Sequence, residues 1–280
     1  MIDAHHHLFD VTRRDYPWMD GPWADPIRRT FTPDELRSAA IGHGVNRSVA
    51  VQAVHTLEET RWLLEVAARE PRIAGVVGWV DLTDPDVAAT LASLRAGPGG
   101  EFLVGIRHQV HDEPDPGWLL REDVLAGLGA VADAGLAYDL LLRPREMPAA
   151  IEAVARLPRL RFVVDHLAKP EIAAGTVEPW RRLLAALARY RNVYCKISGL
   201  ITEASWTEWT TGQLRPYIAD ALEVFGSNRL LFGSDWPVCL LAGSYSDVVA
   251  AAMSSLDMLT EQERAGVFGG NASRAYLLSA

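Results

Sequence analysis

The sequence predicts an α/β fold, a single closed (β/α)8 (TIM) barrel, on three observations. Apolar segments alternate in type with a repeat of roughly 30 residues, the length of one strand–helix unit. The strand-like runs are continuous and β-branched rather than alternating, which marks strands covered on both faces. The length of 280 residues matches the roughly 250 that one such barrel needs. An open, doubly wound parallel sheet is the rival reading.

The first strand is expected at 2–4, and the others at 48–52, 73–80, 103–106, 136–142, 160–164, 193–197 and 229–232. Between them lie amphipathic stretches at 33–43, 57–69, 84–96, 119–134, 146–157, 180–190, 213–225 and 244–255. In 57–69, Leu57, Thr60, Leu64 and Ala67/Ala68 fall at helical spacing, while Glu58, Glu59, Glu65 and Arg69 take the other face. Many of these stretches open with Pro, Asp, Ser or Thr, the residues of N-caps and first turns. Two long loops break the rhythm. Residues 8–32 are aromatic and Pro-rich, and 108–118 carry His108, His111, Asp112, Glu113 and Trp118. Long loops after strands sit on the C-terminal rim of a barrel, where this fold keeps its chemistry. No linker or low-complexity tract appears, so 1–280 reads as one domain.

Composition excludes several function classes. A net charge of −9, from 27 Lys and Arg against 36 Asp and Glu, offers no basic surface for nucleic acid. The two cysteines, Cys195 and Cys239, are far apart, the pattern of a reduced cytoplasmic protein rather than a disulfide scaffold. Cys239 reads as a packed thiol, and His43 and His55 as structural. No apolar run approaches the roughly 18 residues of a membrane span, and the first ten residues do not resemble a signal peptide. A soluble, cytoplasmic protein is expected. His5-His6-His7 follows Met1-Ile2-Asp3-Ala4 and so reads as native rather than as a purification tag.

Three polar clusters fall at predicted strand ends. In Asp3-Ala-His-His-His7 the strand alternation points His5 and His7 one way and His6 the other. Such a pair can ligate one divalent ion or polarise a substrate oxygen; alternatively it is a hydrogen-bonded pair at a strand end. In Phe232-Gly-Ser-Asp-Trp-Pro237, Asp235 is a general base or metal ligand, or a turn aspartate before proline. In Val164-Asp-His-Leu-Ala-Lys-Pro170, His166 binds metal or polarises a carbonyl, or is a buried, hydrogen-bonded histidine. Each is weak alone, but strands one, six and eight bring all three to one rim. Arg107 and His108 end strand four, where the planar donors of Arg suit a carboxylate or carbonyl and hydroxyl oxygens, or else make a surface salt bridge. Lys196 lies inside strand seven, where a charge requires a polar pocket or a partner carboxylate. Gln52 and Trp79 end strands two and three and are expected to face the pocket. Trp18, Trp23, Trp79, Trp118 and Trp236 fall on the same rim, where indole faces suit the C–H face of a polyhydroxylated ring or bury the loops themselves.

With these motifs in place (H-x-H, Y-P-W in the first loop, V-G-I-R-H-Q-V-H, D-H-L-A-K-P and G-S-D-W-P), the chain resembles the amidohydrolase superfamily over essentially its full length. Within it, the resemblance is to the branch of sugar-lactone and pyrone-dicarboxylate lactonases, and most nearly to the L-fuconolactonase and L-rhamnonolactonase-like proteins. The resemblance implies hydrolysis of a sugar-acid lactone, a carboxylic-ester-bond hydrolase of carbohydrate metabolism, with His5, His7, His166 and Asp235 as the catalytic set. It also implies substrate-binding positions at Arg107, His108, Lys196, Gln52, Trp79, Trp18 and Trp236. The chain departs from the binuclear members, lacking a histidine at the end of strand five and a lysine at the end of strand four. One divalent ion, zinc by donor type, held by His5, His7 and Asp235 with His166, is then the metal reading. Metal-free catalysis, as in the pyrone-dicarboxylate lactonases, is the other. A one-metal decarboxylase or hydratase, a dicarboxylate lactonase and a non-enzymatic binding barrel are the alternative functions.

Overall fold

The computed structural model describes residues 1–279. Eight parallel strands follow one another around a single sheet: β1 (Ile2–His6), β2 (Arg47–Val51), β3 (Ile73–Gly78), β4 (Leu103–His108), β5 (Ala137–Leu140), β6 (Arg161–Val164), β7 (Val193–Ile197) and β8 (Leu230–Phe232). The ring closes between β1 and the segment just beyond β8. There Asp235 N–H donates to the His5 carbonyl at 2.8 Å and His7 N–H to the Trp236 carbonyl at 2.6 Å. The expected barrel therefore forms, and the open sheet does not.

The helices are α1 (Pro33–Ala39), α2 (Leu57–Ala67), α3 (Val87–Ala96), α4 (Glu122–Asp133), α5 (Met147–Arg156), α6 (Trp180–Ala188), α7 (Leu200–Glu203), α8 (Thr211–Phe225), α9 (Tyr245–Ser255), α10 (Glu261–Ala265) and α11 (Asn271–Tyr276). Reciprocal capping boxes start α1 at Thr32/Glu35, α8 at Thr210/Gln213, α9 at Ser244/Asp247 and α10 at Thr260/Glu263. The Thr210 box explains why α8 begins before its apolar periodicity does. Helices α7, α10 and α11 were not expected, being too short for a periodic pattern to mark. Among the described residues, no helix is long and apolar enough to cross a membrane.

The main apolar layer lies between strands and helices. Inside the ring, Ala4, Val49, Val51, Val77, Val163 and Leu231 pack with Tyr276 of α11 as a separate cluster. Above it lies a buried charged layer of Arg107, Asp139, Asp165 and Lys196. The register of β1 against β2 slips between Asp3 and His6. This bulge lets Ala4 join the apolar cluster while the next residue, His5, also turns inward, onto the charged layer.

Candidate active site

Four buried side chains meet on the C-terminal rim: His5 and His7 from the end of β1, His166 just past β6, and Asp235 just past β8. His5 Nε2 lies 3.2 Å from His7 Nε2. Asp235 Oδ1 is 3.6 Å from His5 Nε2, 3.5 Å from His7 Nε2 and 3.9 Å from His166 Nε2. The other nitrogen of each ring is held from outside. His7 Nδ1 donates to the Val51 carbonyl at 2.7 Å, His166 Nδ1 is 2.8 Å from Ser198 Oγ, and His5 Nδ1 is 3.1 Å from Lys196 Nζ and 3.3 Å from Asp165 Oδ1. These partners orient the rings so that all three Nε2 atoms face Asp235.

The backbone under the cluster is unusual. His166, Leu167, Ala168 and Lys169 have φ of 53°, 52°, 58° and 50°, and Asp235 has φ 55°. A left-handed residue other than glycine costs roughly 1–2 kcal/mol, and such strain gathers at functional sites. Two glycines make room. A Cβ on Gly199 (φ 63°) would lie 2.6 Å from His166 Nδ1, and one on Gly233 2.6 Å from the His5 Cβ. Asp3, unremarked in the sequence, clamps the closing seam. Its carboxylate accepts from Ser234 N–H at 2.8 Å, His5 N–H at 3.2 Å and Tyr245 O–H at 3.0 Å.

Electrostatics separate the carboxylate from its imidazoles. Burial raises the Asp235 carboxyl, but the surrounding imidazoles, His166 first and then His7 and His5, outweigh it and hold the group well below the ordinary range. Burial lowers His166 to about 4 against the pull of Asp235 and Asp165, and burial holds His5 well below its ordinary value against the pull of Asp165. Near neutrality His5 and His166 are therefore neutral and Asp235 is ionised. Because the Val51 carbonyl only accepts, a neutral His7 carries its lone pair on Nε2.

Above the cluster opens a cavity of about 350 Å³ whose walls include His7, His166, Asp235, Arg107 and Trp18. The other positions expected to bind substrate do not line it. Gln52 is buried, donating to the Arg107 carbonyl at 2.9 Å and to Gln109 Oε1 at 3.0 Å. Trp79 turns aside to donate to His108 Nδ1 at 3.1 Å, and His108 stacks between His55 and Trp118 and meets Glu113 at 2.7 Å. Trp236 packs edge-on against Phe31. Lys196 lies beneath the floor, bound to Asp139 at 2.6 Å and Asp165 at 2.9 Å, so the partner-carboxylate alternative holds for it. Arg107 is likewise tied to Asp165 at 3.0 Å and to the Gln52 carbonyl, not to a surface salt bridge. The cavity adds Arg143, Lys169, Glu203 and Trp206. Arg143, Lys169 and Trp206 lie in loops without a strand or helix period, and Glu203 ends the four-residue α7, too short to show one; the one signal is that Lys169 belongs to the Asp165–Pro170 motif.

The donor set fits a divalent cation. One nitrogen each of His5 and His166 and one oxygen of Asp235 lie within 4.8 Å of one another, and imidazole with carboxylate is a zinc-type set. The set expected from the sequence, His5 Nε2, His7 Nε2 and Asp235 Oδ1, also lies within 3.6 Å of one another, with His166 Nε2 3.9 Å from the same oxygen. His5 Nε2 and His7 Nε2, 3.2 Å apart, need a proton or a cation between them, since two bare lone pairs repel.

Comparison with known proteins agrees with this architecture. The profile of the family described as Amidohydrolase matches residues 2–278. An L-fucono-1,5-lactonase from Burkholderia ambifaria is 41% identical, over 98% of this chain and 94% of that protein. A second L-fucono-1,5-lactonase, from Burkholderia multivorans, is 37% identical over 99% and 96%. A crystal structure of an amidohydrolase from Burkholderia multivorans with bound zinc superposes with a TM-score of 0.94 at 37% identity, covering 99% of both chains. With the family profile and these relatives spanning nearly every residue, the chain belongs to the amidohydrolase family.

Proposed function

We propose that this protein is a lactonase, a hydrolase that opens a sugar-acid lactone of the L-fucono-1,5-lactone type to its hydroxy acid. The observation that carries the reading is the convergence of three Nε2 atoms on Asp235 at the cavity floor, in a chain similar end to end to two lactonases of that name. The ionised Asp235 takes a proton from water, and the water oxygen attacks the ring carbonyl. Arg107, which lines the cavity with its guanidinium anchored on Asp165, stabilises the charge that develops on the carbonyl oxygen. As the ester C–O bond breaks, protonated Asp235 returns its proton to the departing ring oxygen. One water is consumed, and the product is the open acid with a free hydroxyl.

His5, His166 and Asp235, with His7 beside them, would hold one divalent ion, zinc by donor type and by the solved relative. When bound, such an ion supplies Lewis acidity toward the carbonyl and lowers the pKa of water. The chain's own contribution is the orientation of these groups by Val51, Ser198, Asp165 and Lys196.

The test is Asp235→Asn, assayed by acid release from L-fucono-1,5-lactone, with circular dichroism reporting the fold and elemental analysis the metal. Turnover is expected to fall by about 10³-fold with the fold intact, the scale of a lost general base. Near wild-type turnover would overturn the mechanism.

A further inference from the structure

The cavity above Asp235 has two unlike sides. Trp18, Trp23 and Trp206 with Val238 and Leu241 come from the loops after β1, β7 and β8, whereas His111, Asp112, Arg143 and Lys169 come from those after β4, β5 and β6. Rings run outward along the first side. Phe9 lies 5.8 Å from Trp18, Trp18 6.3 Å from Trp23, and Trp23 6.1 Å from Trp206.

Three cations line this cavity, and two are committed to protein. Arg107 is bound to Asp165 and the Gln52 carbonyl, and Lys169 to Glu203. Among the described residues, no carboxylate or other acceptor pairs with the Arg143 side chain. Its root is nonetheless fixed. Arg143 N–H donates to Glu146 Oε2 at 2.8 Å, and Glu146 N–H donates back to the Arg143 carbonyl at 3.1 Å, with Glu146 itself buried at the start of α5. In an eight-membered ring β5 stands across from β1. Arg143 therefore reaches a bound ring from the side facing His5 and His7.

We propose that Arg143 determines specificity for polyhydroxylated lactones, donating from its guanidinium to hydroxyl oxygens of the ring while the tryptophans take the C–H face. The inference rests on the lactonase reading above. A guanidinium presents five donors in a rigid fork and no acceptor, so it matches a ring bearing adjacent hydroxyl oxygens and gains nothing from an unsubstituted one. Asp112 and Glu203 on the same cavity offset Arg143 and Lys169. That balance favours neutral hydroxyls over an anionic substituent.

The experiment compares wild type and Arg143→Ala on L-fucono-1,5-lactone and on hydroxyl-free δ-valerolactone, the latter read as substrate or as competitive inhibitor. Arg143→Ala is expected to lower kcat/KM on the sugar lactone by about 10- to 100-fold, chiefly through KM, the range of one charged hydrogen bond. The constant for δ-valerolactone should stay within about twofold, and Arg143→Lys should recover part of the loss. Equal losses on both compounds, or no loss on the sugar lactone, would overturn the proposal. So would a larger loss on a lactone bearing a free carboxylate, which would assign Arg143 to an anion. Failure of the wild type to open the sugar lactone would instead strike the lactonase reading itself.

Discussion

Lys196 Nζ and Asp139 Oδ2 form an ion pair 2.6 Å long inside the barrel, with both side chains sealed from solvent. Tyr276 O–H, rising from α11, donates to the same carboxylate at 2.7 Å. Burial pushes the Asp139 carboxyl up to about 6, partly offset by Lys196. Burial raises Asp165 too, but Lys196 and His5 outweigh it and hold it well below its ordinary value. Two carboxylates thus share two cations, Lys196 and Arg107, directly under His5. Lys196→Met should leave a buried carboxylate uncompensated and cost about 3–5 kcal/mol in urea unfolding. A variant as stable as wild type would show that this layer is not an electrostatic unit.

Gly199 offers a test of His166 placement that replaces no catalytic residue, although a Cβ there would also lie 3.1 Å from Asp235 Oδ2. Gly199→Ala forces a left-handed alanine and sets its Cβ against His166 Nδ1. Stability should fall by about 1–2 kcal/mol, and lactone turnover should fall further than that loss explains, because the imidazole must move away from Asp235. Unchanged turnover would mean that His166 tolerates displacement.

Glu59 makes stability depend on pH far from the cluster. Its Oε2 accepts from Ala53 and Val54 N–H at 2.8 and 2.9 Å, Oε1 has no partner, and burial pushes the carboxyl up to about 7 from 4.5. Between those values the folded state holds a proton that the unfolded state has released. This contribution is therefore full below about 4.5 and lost as pH rises through about 7, on the order of 3 kcal/mol. The unfolding free energy of wild type minus that of Glu59→Gln should fall by this amount in urea unfolding from pH 4.5 to 8, since the buried imidazoles contribute equally to both. Parallel profiles would remove Glu59 as the cause.

The barrel could be read from sequence because strand and helix periods are local. So could the rim positions of His5, His7, His166 and Asp235, since each directly ends or follows an apolar run. Depth and loop path were hidden. Lys196 does point inward, but one layer below the floor, and its distance along β7 relative to other strands depends on barrel shear, which no local pattern encodes. Trp79 and His108 end their strands yet turn toward each other and His55 instead of the cavity. Arg143 and Trp206 lie in loops whose course is set by contacts such as Arg143 N–H on Glu146.

The seam between β1 and the Ser234–Trp236 segment has a consequence for how the protein comes into being. His5 and Asp235 stand near opposite ends of the chain, and the backbone bonds joining them are the ones that close the ring. Contacts of such long sequence separation form late, because the loop entropy must first be overcome. A nascent chain on the ribosome therefore holds its imidazoles without their carboxylate until the last strand emerges. Under the proposed mechanism, a chain truncated before Asp235 would therefore hold the three imidazoles without their base and would not open a lactone.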